Sequence, residues 1–529
     1  MKIKSTLFPL LLALSTAAAD DISLQDKVSQ FLIVSVDTDN PEKVKKLVSE
    51  NVGGIQLQWG SFSLQETQKF ISRIYESTPV FSPFIAIDYE GGAVFHSETL
   101  GLMDLPTNMM LGAANDPNDT ASLFYLAGME LKKAGINMSF SPVLDINTNP
   151  MNPIIGIRSF SSNPEKAYFL GNAVINGFKA ANILSSIKHF PGHGDTSLDS
   201  HKTLPEVKLP EHELMNRHIY PFKRIIDEKN ADCIMMAHVL YPTLDQDMPA
   251  SLSEKIMKTI LRDGLKYDNL IITDSLDMKA ITSKYDIPTA AFLALKNGAD
   301  LLLIGRGDFY ATREKIISEI LKGNLDINRV NETYERIKRI KKKYNLGPPR
   351  KSDEFNRAYD SITRSLSAKA VTLFKDSAQA IPLDSQNREL AAIFFVPERF
   401  YPDTIVFYKK LLEYGYDVKQ YNFSINPSVE DIKKIEDIAS KSKFSIIGSF
   451  QWSGVQNVNQ KRAINRILSI SKKNALISLM SPYDINNFPR ASTVLLTYGI
   501  TPFTMETLAD IIAGKNSPKG VLPVQINFD

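Results

Sequence analysis

The 529-residue sequence has a single cysteine, Cys233, so no disulfide can form within the chain. Burial of apolar side chains therefore has to stabilise the fold. No cysteine lies just after the apolar segment at the N-terminus, and we accordingly expect no lipoprotein anchor.

The sequence also lacks an excess of charge of either sign. It has 61 basic and 59 acidic residues, and it has no long basic run. Proteins that bind nucleic acid or anionic membranes usually carry a basic patch, so we predict neither partner. The composition, 43% hydrophobic and 23% charged, favours an ordinary globular protein.

The apolar run at the N-terminus, residues 7–14, is too short to span a bilayer, which takes about 20 residues. Lys2 and Lys4 precede this run, and small residues follow it at positions 17–19. This pattern is typical of a cleavable secretory signal over residues 1–19. We expect an exported mature chain without a membrane span, either periplasmic or secreted.

A chain of this length exceeds the usual size of one domain. From residue 31 onward, eight short apolar runs of strand length alternate with amphipathic segments of helix length. This alternation predicts a (β/α)8 barrel, a TIM-type barrel, over residues 20–345. The predicted strands are FLIVSV, GGIQLQW, PFIAIDYE, INMSFSPVLDI, ILSSIKHF, ADCIMMAHV, NLIITDSL and ADLLLIGRG.

A second α/β pattern follows the barrel. Gly347, Pro348 and Pro349 interrupt a basic helical segment and predict a linker over residues 346–360. The remaining residues, 361–529, contain four further strand candidates, namely AAIFFV, FSIIGSF, NALISLM and STVLLTYG. The sequence therefore predicts a second α/β domain, and it contains no glycine-rich phosphate-binding loop.

Polar residues follow the predicted barrel strands at the end where barrel enzymes carry their chemistry. Asp88 ends the third strand, Asp145 the fourth, Lys188 and His189 the fifth, His238 the sixth and Asp274 the seventh. We expect these side chains to meet at the mouth of the barrel.

The segment SIKHFPGHGDTSLDSHKTLP, residues 186–205, holds three of the seven histidines. Within it, Asp199 and His201 are two positions apart, so an extended backbone projects both to the same side. An aspartate beside a histidine orients the ring and stabilises its protonated form, which suits proton transfer. The alternative is a loop whose polar groups only hydrogen-bond one another.

Asp274 follows four apolar strand residues in the segment LIITDSLDM. A carboxylate at a barrel mouth can act as a nucleophile and form a covalent glycosyl intermediate. The competing interpretation is that Asp274 caps the next helix, because TDS is also a good helix start.

A metal site is a competing explanation of the histidine-rich segment, with His189, His193, Asp195 and His201 as candidate ligands. Their spacing matches no zinc pattern, and Lys188 would repel a cation. We therefore predict no metal and no cofactor.

Other polar residues of the predicted barrel mouth could bind a ligand or only pack. Asp88, Arg158 and Lys188 could hydrogen-bond sugar hydroxyls, and His238 could be a packed residue of the barrel mouth. His96, His212 and His218 are interpreted as ordinary helix or loop residues.

Four long segments resemble glycoside hydrolase family 3, and most closely its β-N-acetylglucosaminidase branch, the NagZ-like enzymes. They are SFSPVLDINTNPMNPIIGIRSF, KHFPGHGDTSLDSHKTLP, AHVLYP and ITDSLDM. ISLMSPYDI and GVLPVQI also resemble parts of the αβα sandwich domain that follows the barrel in many members. The resemblance implies an αβα sandwich over residues 361–529.

The resemblance also implies roles for individual residues. His201 corresponds to the general acid/base, Asp199 to the aspartate that assists it, and Asp274 to the nucleophile. A further set matches positions that bind the nonreducing N-acetylglucosamine: Asp88, Arg158, Lys188 and His189. The expected activity is a retaining exo-hydrolysis of terminal β-linked N-acetylglucosamine from peptidoglycan fragments, which are carbohydrate substrates.

One position departs from the family pattern, because Ala93 stands where an arginine is common. We expect this replacement to alter the wall of the binding pocket and the preference for a leaving group. β-Glucosidases of the family usually take their acid from a glutamate of the second domain, so the DSH segment favours the hexosaminidase branch. A β-glucosidase, a phosphorylase of the same family and an exported, non-catalytic glycan-binding protein remain as alternatives.

Overall fold

The computed structural model describes residues 22–37, 40–58, 63–76, 82–92, 100–348, 356–383, 388–452 and 457–526. The predicted signal, residues 1–19, lies outside these ranges, as do Ala93 and His96. None of the helices in the described ranges is long and apolar enough to cross a membrane.

Eight parallel strands form the first sheet, as predicted. Their spatial order is β7-β6-β5-β4-β3-β2-β1-β8. A parallel bridge between Ile272 and Leu301 joins the last pair, so the sheet closes into a barrel. The strands are β1 (Leu32–Val36), β2 (Gly54–Leu57), β3 (Phe84–Ile87), β4 (Met138–Ser139), β5 (Leu184–Phe190), β6 (Cys233–Met236), β7 (Leu270–Thr273) and β8 (Leu302–Leu303).

The fourth strand is much shorter than the predicted one over residues 136–146. Only Met138 and Ser139 pair as a strand, and Val143 makes an isolated bridge to Lys188. Pro142 has no N–H group to donate to a neighbouring strand, which explains why regular pairing stops before it. The chain from Ser141 to Asp145 therefore forms a loop at the barrel mouth.

Helices follow most of the barrel strands and bury their apolar faces against the barrel. The described α-helices of this domain are α1 (Leu24–Ser29), α2 (Pro41–Ser49), α3 (Leu64–Glu76), α4 (Asn108–Ala114), α5 (Pro117–Ala134), α6 (Pro164–Ala180), α7 (Glu211–Glu213), α8 (Tyr220–Asp227), α9 (Lys279–Thr282), α10 (Ile287–Asn297), α11 (Phe309–Leu321) and α12 (Ile327–Lys343). Two segments, Leu214–His218 and Lys255–Gly264, are π-helical. Short 3₁₀ turns lie at Gly156–Arg158 and Ala250–Leu252.

A second sheet of six strands has the order β11-β10-β12-β13-β14-β9, with only β9 antiparallel to its neighbour. Four of these strands were predicted, and β9 and β11 were not. Both unpredicted strands lie at edges of the sheet and are partly exposed, so they lack a continuous apolar run. The strands are β9 (Thr372–Asp376), β10 (Glu389–Phe395), β11 (Asp417–Phe423), β12 (Phe444–Ser449), β13 (Asn474–Ser478) and β14 (Thr493–Leu496).

Helices on this sheet complete an α/β domain with its own core. They are α13 (Asn356–Ala370), α14 (Tyr401–Glu413), α15 (Val429–Lys441), α16 (Val458–Ile470) and α17 (Pro502–Ile512), with 3₁₀ turns at Glu398–Phe400 and Pro482–Asn487. α13 begins within the predicted linker and packs against α4 and α5 of the barrel as well as α17. Lys369 of α13 also pairs with Asp116 and Asp119 at the start of α5, at 2.7 Å each.

Candidate active site

A cavity of about 560 Å³ opens at the carboxyl end of the barrel strands, within the size range of small-molecule sites. It contains six of the seven predicted site residues, and the seventh, Asp199, lies directly behind His201. The lining residues are Gln56, Gln58, Asp88, Glu90, Phe140, Pro153, Ile154, Ile155, Ile157, Arg158, Lys188, His189, His193, Ser200, His201, Met235, Asp274, Ser275, Asp277, Met278, Leu303 and Trp452.

Four charged side chains form one ion-pair network in this cavity. The Lys188 ammonium lies 2.7 Å from Asp88 and 2.9 Å from Glu90. Arg158 donates to both oxygens of Glu90, at 2.8 and 3.0 Å. Gln56 donates to the second oxygen of Asp88 at 2.9 Å. The network fixes the positions of a carboxylate, an ammonium and a guanidinium that can hydrogen-bond a polyhydroxylated ligand.

The carboxylate of Glu90 is buried, and burial alone would raise its pKa. The charges of Arg158 and Lys188 outweigh burial and hold this pKa far below the usual range. The pKa values of both cations are raised, because Asp88 and Glu90 more than offset the cost of burying them. All three groups are therefore charged at neutral pH.

We predict that Glu90→Gln destabilises the protein by about 3–5 kcal/mol at neutral pH, because the buried Lys188 and the largely buried Arg158 lose their shared partner. A carboxylate with a lowered folded pKa contributes stability above its unfolded pKa of about 4.3 and loses it as the pH falls. The difference from the wild type should therefore shrink below about pH 4. Thermal unfolding of both proteins between neutral pH and about pH 3 measures this difference in stability.

Glu254 offers a matched control for Glu90, since its 2.8 Å pair with Lys258 is largely exposed. Replacing it with glutamine should cost less than about 1 kcal/mol. Equal losses in the two variants would contradict a structural role for the buried network.

Asp274 follows β7, as predicted, and its half-buried carboxylate lines the cavity. Burial would raise its pKa, but His238, His189, His201 and a 2.7 Å hydrogen bond from the Ser275 N–H lower it to about 2. The carboxylate is therefore ionised at any physiological pH. The alternative role as a helix cap is wrong, because α9 begins at Lys279 and Met278 occupies the N-cap position.

His238 lies beneath Asp274 and is fully buried, so it is the packed residue that the sequence suggested. Its Nε2 donates to the carbonyl oxygen of Ser275 at 2.9 Å, and its Nδ1 accepts from the Ser251 hydroxyl at 2.6 Å. Burial lowers its pKa, and the nearby charge of Asp274 opposes that shift. The hydrogen bond to Ser275 fixes the backbone that follows Asp274.

Asp199 and His201 form the predicted pair. The Nδ1 of His201 donates to Asp199 Oδ1 at 2.9 Å, and the backbone N–H of His201 donates to the same oxygen at 2.9 Å. Burial would raise the pKa of Asp199, but these two hydrogen bonds lower it. The ring of His201 is 57% exposed at the cavity rim. This arrangement leaves Nε2, the nitrogen farther from Asp199, for exchange of a proton with a bound molecule.

The other two histidines of this segment are held by Asp145, which ends the fourth strand region. Asp145 Oδ2 accepts from the His189 ring at 2.7 Å, and Oδ1 accepts from the backbone N–H of His193 at 2.6 Å. Of the other candidate metal ligands, Asp195 accepts from the Thr148 hydroxyl at 2.6 Å, and His201 pairs with Asp199. The described part of the chain contains no group of three or more His, Cys, Asp or Glu side chains that could hold a metal ion.

His193 also anchors the loop that carries the Asp199–His201 pair. Its ring contacts the Thr196 hydroxyl at 2.9 Å and the Ser200 hydroxyl at 3.2 Å, and Ser200 lies between Asp199 and His201. Burial lowers the pKa of His193 to about 4, so the ring is neutral. Gly194 lets the loop pack tightly, since a Cβ there would lie 1.8 Å from the Ile146 carbonyl oxygen.

Sequence reasoning missed three features of the cavity. It gave no role to Glu90, although Glu90 pairs with two of the predicted sugar-binding residues, Arg158 and Lys188. It did not name Gln56, which lies inside a predicted strand, so a search for polar residues at strand ends does not find it. It assigned no cavity residue to the second domain, whereas Trp452 lines the cavity.

A family model described as the glycosyl hydrolase family 3 N-terminal domain matches residues 23–340, which cover more than half of the chain and the whole barrel. The chain belongs to glycoside hydrolase family 3. It is accordingly a glycoside hydrolase, and the family recognised in the sequence is confirmed.

One curated relative and one solved structure extend the similarity to the second domain. A β-hexosaminidase A of Pseudoalteromonas piscicida is 28% identical over 92% of this chain and 91% of the relative. A β-hexosaminidase of Hydrogenovibrio crunogenus is 33% identical over 50% of this chain and 74% of its own length. A solved family 3 β-N-acetylglucosaminidase from Paenibacillus sp. str. FPU-7 is 27% identical, with a TM-score of 0.87, covering 96% of this chain and 100% of that chain.

Proposed function

We propose that this family 3 enzyme is a retaining exo-β-N-acetylglucosaminidase that removes terminal N-acetylglucosamine from glycans. The observation that carries the proposal is the pairing of two groups in one cavity: a half-buried, ionised Asp274 and a rim histidine held by Asp199. A retaining glycosidase needs these two functions, a nucleophile and a group that first donates and then accepts a proton.

In the first step, Asp274 attacks the anomeric carbon while the bond from that carbon to the leaving oxygen breaks. His201 transfers its Nε2 proton to the leaving oxygen, and a glycosyl-aspartate ester forms. In the second step, His201 accepts a proton from water as the water oxygen attacks the same carbon. The ester bond breaks, the Asp274 carboxylate is regenerated, and the sugar leaves with its original anomeric configuration.

The charged network provides the binding site for the terminal sugar. Asp88 is a carboxylate that can accept from hydroxyl groups, while Lys188, Arg158 and His189 are placed as donors. Asp88 follows β3 and Lys188 lies within β5, so a terminal sugar held by them would lie against the carboxyl ends of the strands. We take the cleavage to be exo, and the names of the relatives favour N-acetylglucosamine as the sugar.

The substrate class that we favour is a peptidoglycan fragment with N-acetylmuramic acid as the leaving sugar. The lactyl carboxylate of that sugar would be repelled by a carboxylic acid catalyst after ionisation, whereas a histidine avoids this repulsion. Equal turnover of a muropeptide and of neutral chitobiose by the wild type would argue against this choice. Export to the periplasm or beyond, proposed from residues 1–19, places the enzyme where such fragments arise.

The first test is hydrolysis of p-nitrophenyl β-N-acetylglucosaminide compared with p-nitrophenyl β-glucoside. We expect the wild type to release nitrophenol from the first substrate at least about 100-fold faster, because a site built to hydrogen-bond a substituent discriminates strongly against its absence. Comparable rates would favour a β-glucosidase. Bound sugar without any turnover would favour a glycan-binding protein.

The same assay separates a hydrolase from a phosphorylase. Product is collected with and without added phosphate, and the sugar is identified by mass spectrometry. A hydrolase releases free N-acetylglucosamine at a rate independent of phosphate. Formation of the sugar 1-phosphate, at a rate that rises with phosphate, would overturn the hydrolase proposal.

A further inference from the structure

The backbone that carries Asp88 and Glu90 is held from behind as well as from the cavity. Both side chains line the cavity, whereas Tyr89 between them does not. Successive side chains of an extended stretch lie on opposite sides, so Tyr89 lies on the side away from the cavity, where it is buried. Its hydroxyl donates to the carbonyl oxygen of Met103 at 2.6 Å. Tyr89 therefore ties the ion-pair network to a second segment of the chain.

That second segment, residues 103–107, packs directly against the backbone that follows the network. The N–H of Gly92 donates to the carbonyl oxygen of Leu105 at 2.8 Å. A Cβ at Gly91 would lie only 2.3 Å from the Pro106 carbonyl oxygen, so the two backbones leave no space between them. A displacement of the second segment would therefore shift the backbone beside the ion-pair network.

Glu130 of α5 holds the second segment from outside the barrel. Its Oε2 accepts from the backbone N–H of Met103 at 2.7 Å, and the Tyr89 hydroxyl lies 3.5 Å from the same oxygen. The side chain is partly buried and does not line the cavity. A hydrogen bond to an ionised acceptor is about twice as strong as one between neutral groups. The carboxylate of Glu130 thus fixes Met103 directly and Tyr89 through it.

We propose that Glu130 is a positioning residue for the terminal sugar, because it holds the Met103 segment and thereby the backbone of the ion-pair network. A protein binds its ligand in proportion to the fraction of molecules that have a competent site, so Glu130 acts on affinity. Asp274 and His201 lie on other segments, so the chemical step does not depend on it. This inference rests on the proposed function, since it takes the network as the site of the terminal sugar.

The ionisation of Glu130 links this role to pH. Burial raises its pKa to about 7, and the charge of Asp104 adds to the shift, while its hydrogen bonds and Lys133 oppose it. Tyr89 and Tyr359 of α13 also lie near, and burial raises their pKa values, so both stay neutral at neutral pH. The carboxylate therefore loses its charge as the pH falls from about 8 to about 6, and its hydrogen bond to the second segment weakens.

The test compares Glu130→Ala with the wild type on p-nitrophenyl β-N-acetylglucosaminide at pH 8. We expect KM to rise about tenfold, the effect of losing a hydrogen bond to a charged group, and kcat to stay within about threefold. Glu130→Gln keeps an acceptor oxygen, so its KM should stay within about threefold of the wild-type value. Isothermal titration with N-acetylglucosamine checks that these changes in KM are changes in affinity.

The pH dependence of KM gives a second readout. The amide of Glu130→Gln resembles the protonated carboxyl and does not titrate. The ratio of its KM to the wild-type KM should therefore fall from about three at pH 8 to about one at pH 6. Taking the ratio removes the effect of other titrating groups, because both proteins share them.

Glu319→Ala is the matched control, since Glu319 of α11 is also a buried glutamate but accepts from Lys322 and Asn324 of its own segment. It should leave KM unchanged. A purely structural defect lowers the amount of folded enzyme, and so the apparent kcat, without changing KM. That result for Glu130→Ala, or a KM ratio independent of pH, would overturn the proposal. If the wild type released no N-acetylglucosamine, the proposed function itself would fail instead.

Discussion

Replacing Asp274 with alanine is expected to lower kcat on p-nitrophenyl β-N-acetylglucosaminide by about 10⁴-fold or more, since a missing nucleophile removes the covalent route. The side chain is ionised by its surroundings and lines the cavity, so its loss removes the attacking atom. Thermal unfolding should show that the variant remains folded. The measurement is steady-state hydrolysis at saturating substrate.

Azide gives this prediction a stereochemical test. In Asp274→Ala, azide can enter the space left by the carboxylate and attack the anomeric carbon from the same face. A single displacement inverts configuration, so the expected product is the α-glycosyl azide. Asp247→Ala, which removes an exposed aspartate, is the matched control and should keep wild-type activity. Near-normal activity of Asp274→Ala would exclude Asp274 as the nucleophile.

Replacing His201 with alanine is expected to lower kcat/KM for chitobiose by about 10²- to 10⁴-fold, the usual contribution of general acid–base catalysis. The loss should be much smaller for a 2,4-dinitrophenyl leaving group, which departs without protonation. A purely structural defect would reduce both rates equally. Comparing the two substrates therefore isolates the proton transfer assigned to the Asp199–His201 pair.

Azide should rescue His201→Ala differently from the nucleophile variant. Here the glycosyl-aspartate still forms, and azide replaces water in the second displacement without needing a base. Two inversions give the β-glycosyl azide. His212→Ala, at an exposed histidine of α7, is the matched control. Formation of the α-azide by His201→Ala would indicate that His201, and not Asp274, is the nucleophile, and would contradict the mechanism.

Local sequence was sufficient for the proton-transfer pair and for the alternation of strands and helices. Asp199 and His201 are two residues apart, so their hydrogen bond depends on the local backbone. The repeated strand and helix patterns predicted the barrel. A parallel barrel brings the carboxyl ends of all its strands together, so the positions of Asp88, Lys188 and Asp274 at strand ends predicted that they line one site. The edge strands β9 and β11 were not predicted, because half-exposed strands lack the continuous apolar run that identified the other strands.

The sequence by itself determined the two fold types, the family and six site residues that line the cavity. Only the tertiary structure decided how those residues act on one another. Glu90 pairs with Arg158, 68 residues away, and Trp452 reaches a cavity built by another domain. Contacts of this kind depend on how whole elements pack, and neither the side-chain period nor the spacing of a motif carries that information.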